Sequence, residues 1–305
     1  MKRVLSVLLA ILSFPAFAGL IRHDTPDSLY TEFAANPLFS AVGLIQFETS
    51  AGADACSGTV IHKNWVLTAA HCVSDSSAMT FSLPTASGLQ VYNADSWIAH
   101  ENFSSVSVYG GWDLGLMHIT SDIDVAPVAL YSGSSELFKT VYSVGYGWTG
   151  TGYTGADTYD ALRRAGTNSI DAIFSTEGNG QQILFADFDH PDDRSYNALS
   201  LGDRETDDFA TTLEIMASYG DSGGGLFFED NGKLYLAGVH SFVDDRDGDA
   251  SWRYGDVFGS TRVSSFIDWI SNKINPVVVP EPSALWLMLM GLIILGWQRA
   301  TLKGN

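Results

Sequence analysis

From residue 19 to residue 275 the apolar residues come in many short runs, and clusters of Gly, Ser, Asn and Asp separate one run from the next. Ala41 to Phe47, Thr59 to Thr68, Leu114 to Ile119, Val141 to Tyr146, Leu234 to Val243 and Val257 to Val263 are the clearest. Runs of Val, Ile, Leu, Phe, Tyr and Thr at this spacing predict an all-β sandwich or barrel. One segment departs from it: Val263, Phe266, Ile267, Ile270 and Ile274 recur at helical spacing with Ser and Asp between them, which predicts a closing helix. With 46% hydrophobic and 17% charged residues, the chain can bury a sizeable core. Its length of 305 suggests about two domains, yet all-β folds of this size often form one. Gly147 to Asp160, Asp187 to Asp208 and Asp244 to Asp256 read as surface loops.

The two ends look like addresses and not like parts of that domain. Residues 1–18 open on Lys2 and Arg3, continue through the apolar run Val4 to Leu12 and finish in Ala16-Phe17-Ala18. That is the pattern of a secretory signal peptide cleaved before Gly19. The alternative is a buried amino-terminal helix. Residues 276–282 form a Pro and Val linker, and 283–305 carry the apolar run Leu285 to Trp297 followed by Arg299 and Lys303. The run falls short of the ~20 residues that cross a bilayer comfortably. Pro280-Glu281-Pro282 stands directly before it, and the order of triplet, apolar helix and basic tip resembles the PEP-CTERM sorting signal. That resemblance implies export in a Gram-negative bacterium, processing by signal peptidase and exosortase, and release or surface attachment with transient or permanent membrane contact. A plain carboxy-terminal anchor is the alternative.

With a net charge of −19 and no basic face visible for phosphates, the sequence argues against nucleic acid as a partner. The two cysteines, Cys56 and Cys72, could pair in an oxidising compartment, and two alone do not make a zinc site.

Three segments carry chemistry. Tyr219-Gly220-Asp221-Ser222-Gly223-Gly224-Gly225 sets a serine in a glycine-rich turn, where backbone amides can come close to a substrate carbonyl. Trp65-Val66-Leu67-Thr68-Ala69-Ala70-His71-Cys72 ends an apolar strand in small residues and a histidine. Gly111-Trp112-Asp113-Leu114-Gly115-Leu116-Met117 puts a carboxylate just before a buried strand, where it needs a partner. A hydroxyl nucleophile, an imidazole base, a carboxylate to orient it and donors for an oxyanion are the requirements of acyl transfer by a serine.

In the order His, Asp, Ser, these segments resemble the signature segments of chymotrypsin-like serine peptidases over residues from about 40 to 275. Cys56-Ser57-Gly58-Thr59-Val60-Ile61 and the closing Phe266-Ile267-Asp268-Trp269-Ile270 fit the same family. The resemblance implies two six-stranded antiparallel β-barrels with a carboxy-terminal helix over 19–275. It implies a triad of His71, Asp113 and Ser222, an oxyanion hole from the amides of Gly220 and Ser222, and a Cys56–Cys72 disulfide. It also implies a substrate pocket involving Met216, Ser241, Phe242 and Val243, protein or peptide substrates, and no metal or organic cofactor. The expected function is that of an exported serine endopeptidase.

The chain departs from the family in several places. Met216 stands where a trypsin-type enzyme has an acid, and Ser218 where a cysteine often occurs. Gly19-Leu20-Ile21-Arg22-His23-Asp24 bears little likeness to the family's usual amino terminus, whose amine meets the Asp beside the nucleophile, here Asp221. The expectation is that signal cleavage alone supplies the final terminus. Asp244, Asp245, Asp247 and Asp249 could charge the pocket rim, and 245, 247, 249 and Asp256 could hold calcium, although Ala250 stands where an EF-hand loop needs glycine. A solvated loop is the simpler reading. The competing function is a catalytically silent binding protein on the same scaffold. An esterase would require a strand-to-helix elbow and a histidine last in the chain, and neither is present.

Overall fold

The computed structural model describes residues 19–196, 198–199, 209–246, 248 and 252–275. The expected leader, linker and tail lie outside the described residues, as do Asp247 and Asp249. Among the described residues no helix is long and apolar enough to cross a membrane.

The chain enters through a short strand, β1 (Gly19–Ile21), and a helix, α1 (Asp27–Ala34). Six strands follow: β2 (Val42–Thr49), β3 (Gly52–His62), β4 (Trp65–Thr68), β5 (Ala78–Thr85), β6 (Gly88–Ala99) and β7 (Gly115–Ile119), with a single helical turn, α2 (Ala70–Val73), after β4. They close in the order β2-β3-β4-β7-β6-β5, because β5 returns to pair with β2. Closure removes the free edges that an open sheet would present. Alternation fixes which face turns inward: along β2, Gln46 and Glu48 are exposed while Ile45 and Phe47 are buried. Gly43 in this strand faces the Phe81 ring so closely that a Cβ would overlap it.

The second half contains β8 (Ala129–Leu130), β9 (Thr140–Gly145), β10 (Trp148–Thr151), β11 (Gly155–Tyr159), β12 (Arg164–Ser169), β13 (Ala172–Phe174), β14 (Ile183–Asp187), β15 (Ile215–Met216), β16 (Gly225–Asp230), β17 (Lys233–Asp244) and β18 (Val257–Arg262). Its main sheet runs β12-β9-β16-β17-β18-β14-β13, a half-barrel, with β8 added parallel to β17. A smaller sheet, β11-β10-β1-β15, holds the entering strand: β1 is parallel to β10 and antiparallel to β15, with Leu20 opposite Met216. Leu20, Met216, Leu226, Phe188, Phe228 and Phe258 share one buried core. All strands belong to one compact unit that ends at Ile267, and from Asp268 the chain forms a separate unit. The expected closing helix is present as a 3₁₀ turn over Val263–Phe266 that continues as α3 (Ile267–Ile274).

Buried ion pairs hold segments that the strands alone would leave loose. Arg164 of β12 is 1% exposed and meets both oxygens of Asp27 in α1, at 2.6 and 2.9 Å, and those of Asp160. Arg262 and Glu136 form a bidentate pair at 2.7 Å. Planar two-point contacts of this kind meet the requirement that a buried charge be paired.

The two halves are stitched at one seam. The Ser57 amide of β3 donates to the Ser222 carbonyl at 2.8 Å, the Ser57 hydroxyl donates to the Gly220 carbonyl, and the Tyr146 amide donates to that hydroxyl. The segments singled out for chemistry converge here.

Candidate active site

His71 is positioned by its neighbours on both sides. Strand β4 ends at Thr68, and Ala69 and Ala70, fully buried, are small enough to let the chain turn into α2 against β7. Cys72 is bonded to Cys56 of β3, which ties the histidine turn to the first barrel. Asp113 precedes β7 and has no exposure to solvent. Its carboxylate is met by three donors: the His71 amide on Oδ1 at 3.0 Å, the His71 ring Nδ1 on Oδ2 at 2.7 Å, and the Ser241 hydroxyl on Oδ2 at 2.6 Å. A carboxylate on Nδ1 makes that nitrogen the proton carrier and leaves Nε2 as an acceptor. Burial works against a charged His71 ring, but the charge and hydrogen bond of Asp113, with a smaller contribution from Asp54, outweigh it and raise its pKa above the usual imidazole value.

The serine loop connects β15 to β16. Gly220 at φ +84° and Gly223 at φ +80° occupy the left-handed region, and a Cβ on Gly223 would collide with the Thr68 hydroxyl and the Ser57 carbonyl. Asp221 is buried beneath the loop and accepts the Gly147 amide on Oδ1 and the Ser218 amide on Oδ2, each at 2.8 Å. Burial dominates its titration and pushes its pKa up to about 7, although both amides and, less strongly, the Arg164 charge favour the carboxylate. Neither the Gly220 nor the Ser222 amide donates a hydrogen bond among the described residues, so both remain available to an incoming acceptor. Ser222 and His71 face one cleft, and among the described residues no hydrogen bond joins the hydroxyl to the ring. Such contacts often tighten only when a substrate is bound.

The cleft has a volume of about 800 Å³ and is lined by His71, Gly220, Ser222, Ser241, Phe242 and Val243 among others. Met216 departs from its expected place. It is fully buried beside Leu20 in the core and does not line the cleft. Ala217, Tyr219 and Trp252 line it instead. Trp252 holds φ +47°, and its ring is 3.7 Å from that of Tyr219 between centroids. Ser241 carries a role beyond lining the cleft, since its hydroxyl fixes Asp113.

In the acidic segment after Val243, the described carboxylates accept hydrogen bonds from the protein itself. Asp256 accepts the Arg246 and Arg253 amides, one on each oxygen, at 2.8 Å; Asp245 accepts the Gly248 amide; and Asp244 accepts the Tyr109 hydroxyl. None of these three lines the cleft. Asp256 is therefore engaged in closing the loop, and Asp247 and Asp249, two of the four carboxylates of the calcium alternative, lie outside the described residues. Among the described residues, the one group of side chains close enough to share a metal is Cys56, His71 and Cys72, and its two sulfurs are bonded to each other.

Among the residues of the cleft that sequence reading passed over are Trp252 and Asp54. Trp252 follows a run of Asp whose path could not be told from spacing. Asp54 lies near the turn of the β2–β3 hairpin, and no motif marks it.

The sequence profile of the family described as Trypsin matches residues 34–270. Chymotrypsin-like elastase family member 1 of Rattus norvegicus is 27% identical over 295 residues, which span 87% of this chain and 99% of that protein. The Homo sapiens protein of the same name is 29% identical over 236 residues, 72% of this chain and 81% of its own length. Collagenase of Hypoderma lineatum is 27% identical over 226 residues, 72% of this chain and 75% of that protein. Among solved structures, an HL collagenase superposes with a TM-score of 0.58 at 21% identity, covering 85% of this chain and 98% of its own; this likeness speaks to the fold.

Proposed function

The chain belongs to the trypsin family and is a serine endopeptidase, and from that premise we propose that His71, Asp113 and Ser222 are its catalytic triad. The observation that carries this reading is the Asp113 carboxylate, buried and bonded at 2.7 Å to Nδ1 of His71, whose ring lines the same cleft as Ser222. His71 Nε2 takes the proton of Ser222 as its hydroxyl attacks the peptide carbonyl. Asp113 keeps the ring in the tautomer this requires and stabilises the imidazolium that forms. The amides of Gly220 and Ser222 receive the developing oxyanion. The imidazolium then protonates the leaving amine, and water, activated in turn by His71, releases the acyl group.

Ser241, Phe242 and Val243 take the acyl half of the substrate in this reading. Ala217 lines the cleft together with the rings of Tyr219 and Trp252, whose bulk in this reading leaves room for a small, uncharged residue before the cut bond. The names of the relatives, elastase and collagenase, point to structural proteins as the substrate class in this reading.

The enzyme acts outside the cytoplasm, delivered by residues 1–18 and sorted by 283–305 through signal peptidase and exosortase at the envelope of a Gram-negative bacterium. Cleavage before Gly19 supplies the working terminus. In support of this, Gly19 pairs with Thr149, two residues beyond the Gly147 amide that holds Asp221, so a freed amine would begin at the edge of the Asp221 pocket.

A fluorophosphonate probe applied to the exported protein and to Ser222→Ala tests the triad. Labelling confined to the unaltered protein supports it. Equal labelling of both moves the nucleophile elsewhere, and no labelling of either favours a silent binding protein. Amino-terminal sequencing of the labelled protein tests the terminus, and a start well beyond Gly19 would refute it.

A further inference from the structure

Strand β3 has partners on both sides only from Thr59 onward. Over Gly52 to Cys56 its partner is β2 alone, and Ala53, Asp54, Ala55 and Cys56 all line the cleft that holds His71 and Ser222. An unpaired strand edge is a template for an added strand, with backbone bonds giving affinity and side-chain sites giving choice. The catalytic cleft therefore has a ready-made wall for an extended peptide on this side. If Ser241 to Val243 take the acyl half, the edge of β3 is left for the half that departs.

The same hairpin holds a second hollow, of about 510 Å³. Gln46, Phe47, Ala53 and Asp54 line both spaces, and Glu48 and Asp95 line the second. Neither Lys nor Arg lines either one. Asp54 stands opposite Phe47 in the register of β2 and β3, is exposed, and among the described residues receives one hydrogen bond, from the Ala55 amide at 2.8 Å. Asp95 is already engaged by His118 at 2.6 Å. Asp54 thus offers a carboxylate without a cation, at the point where the cleft passes into the second hollow. Its field reaches the reacting centre: after burial and Asp113, it is the remaining influence on His71, and after burial it is the largest influence on Tyr159 in the same cleft.

We propose that Asp54 is a specificity-determining residue for the leaving half of the substrate, selecting Lys or Arg among the first four residues after the cut bond as the peptide lies along the open edge of β3. A strand advances ~3.3 Å per residue, so a few residues carry the peptide out of the cleft and past the hairpin. Glu48, exposed two residues before the hairpin turn, extends the same negative wall. The inference rests on the proposed triad.

The test uses the exported protein and peptides with one fixed acyl half, varied at each of the four positions after the cut. At low ionic strength, Lys in place of Glu at one of these positions is expected to raise kcat/KM about fivefold, the scale of an exposed ion pair. High salt compresses the ratio. In Asp54→Asn the ratio falls toward one, while Asp54→Glu restores most of it; thermal melting reports that both variants are folded. Equal rates for Lys and Glu at all four positions, or a preference that survives Asp54→Asn, would overturn the proposal. Absence of hydrolysis for every peptide, with no probe labelling, instead overturns the triad and the proposal with it.

Discussion

The Ser241 hydroxyl donates a 2.6 Å hydrogen bond to Oδ2 of Asp113, the oxygen that also meets the His71 ring. With the His71 amide on the other oxygen, the buried carboxylate is held by three donors and cannot swing away from the imidazole. Ser241→Ala removes one of them without adding bulk. A lost bond to a charged group costs ~1.5–3 kcal/mol, so kcat is expected to fall roughly tenfold to a hundredfold with a smaller change in KM. The negative charge of Asp113, shared with one donor fewer, then acts more strongly on His71, and the acid limb of the pH profile moves upward. A purely structural role would leave that limb in place.

The direction of the His71 shift fixes the pH dependence of the reaction. The base must be neutral to take a proton, and Asp113 favours the charged ring. The acid limb of kcat/KM is therefore expected above the ordinary value near 6.5, with full activity only in mildly alkaline solution. Stability runs the other way: the charged pair stabilises the fold below the unfolded value, and that contribution disappears as pH rises through the folded one. Profiles of kcat/KM and melting temperature between about pH 5 and 9 check both signs.

Trp252 sits in the left-handed region at φ +47°, which glycine adopts without strain. Trp252→Gly removes an indole that lines the cleft against the Tyr219 ring. Hydrolysis after Phe or Leu is expected to gain at least about tenfold relative to hydrolysis after Ala, since each apolar group accommodated contributes a factor of that order. Melting temperature falls, because a buried indole and its contact with Tyr219 are lost. An unchanged preference would place the pocket elsewhere.

Cys56 and Cys72 close a loop with a sequence separation of 16. Removing both, as Cys56→Ser with Cys72→Ser, is expected to cost about 3 kcal/mol by restoring freedom to the unfolded chain. Denaturant midpoints measure that loss. Because Cys72 adjoins His71, kcat should fall as well, and reduction of the unaltered protein should reproduce both effects.

Most of the fold was legible because its signals are local. Short β-branched runs named the strands, helical spacing named α3, and three segments in order named the residues that meet at the seam. What escaped reading depended on contacts across the chain. Ala217, the next residue, does reach the cleft, but the pairing of Met216 with Leu20 turns Met216 into the core, and that pairing involves a strand 196 residues away. Trp252 was hidden for the same reason, since no local pattern announces that Asp256 accepts the amide of the adjoining Arg253 or that the Trp252 ring meets Tyr219. Asp54 has no motif at all; its importance comes from an edge that β4 leaves uncovered.

Asp221 offers the sharpest test of how the enzyme becomes competent. Its carboxyl titrates at about 7 in the fold, against an ordinary value of 3.8, because burial disfavours its charge and two backbone amides offset that only partly. The folded state therefore binds this proton more tightly than the unfolded one, and raising the pH from about 4 to about 7 destabilises the fold progressively, with no further change above. An amine freed at Gly19 and settled beside Asp221 would favour the carboxylate and remove this slope. Protein whose leader is kept by blocking cleavage, with Ala18→Pro, is expected to lose melting temperature across that window and to label slowly with the serine probe. Protein beginning at Gly19 is expected to melt at a nearly constant temperature there and to label quickly. Asp221→Asn in the uncleaved form should abolish the slope without restoring labelling, because the neutral amide has no charge for a terminus to meet. Identical slopes and labelling rates in the cleaved and uncleaved forms would mean that the serine loop is set by the Gly147 and Ser218 amides alone.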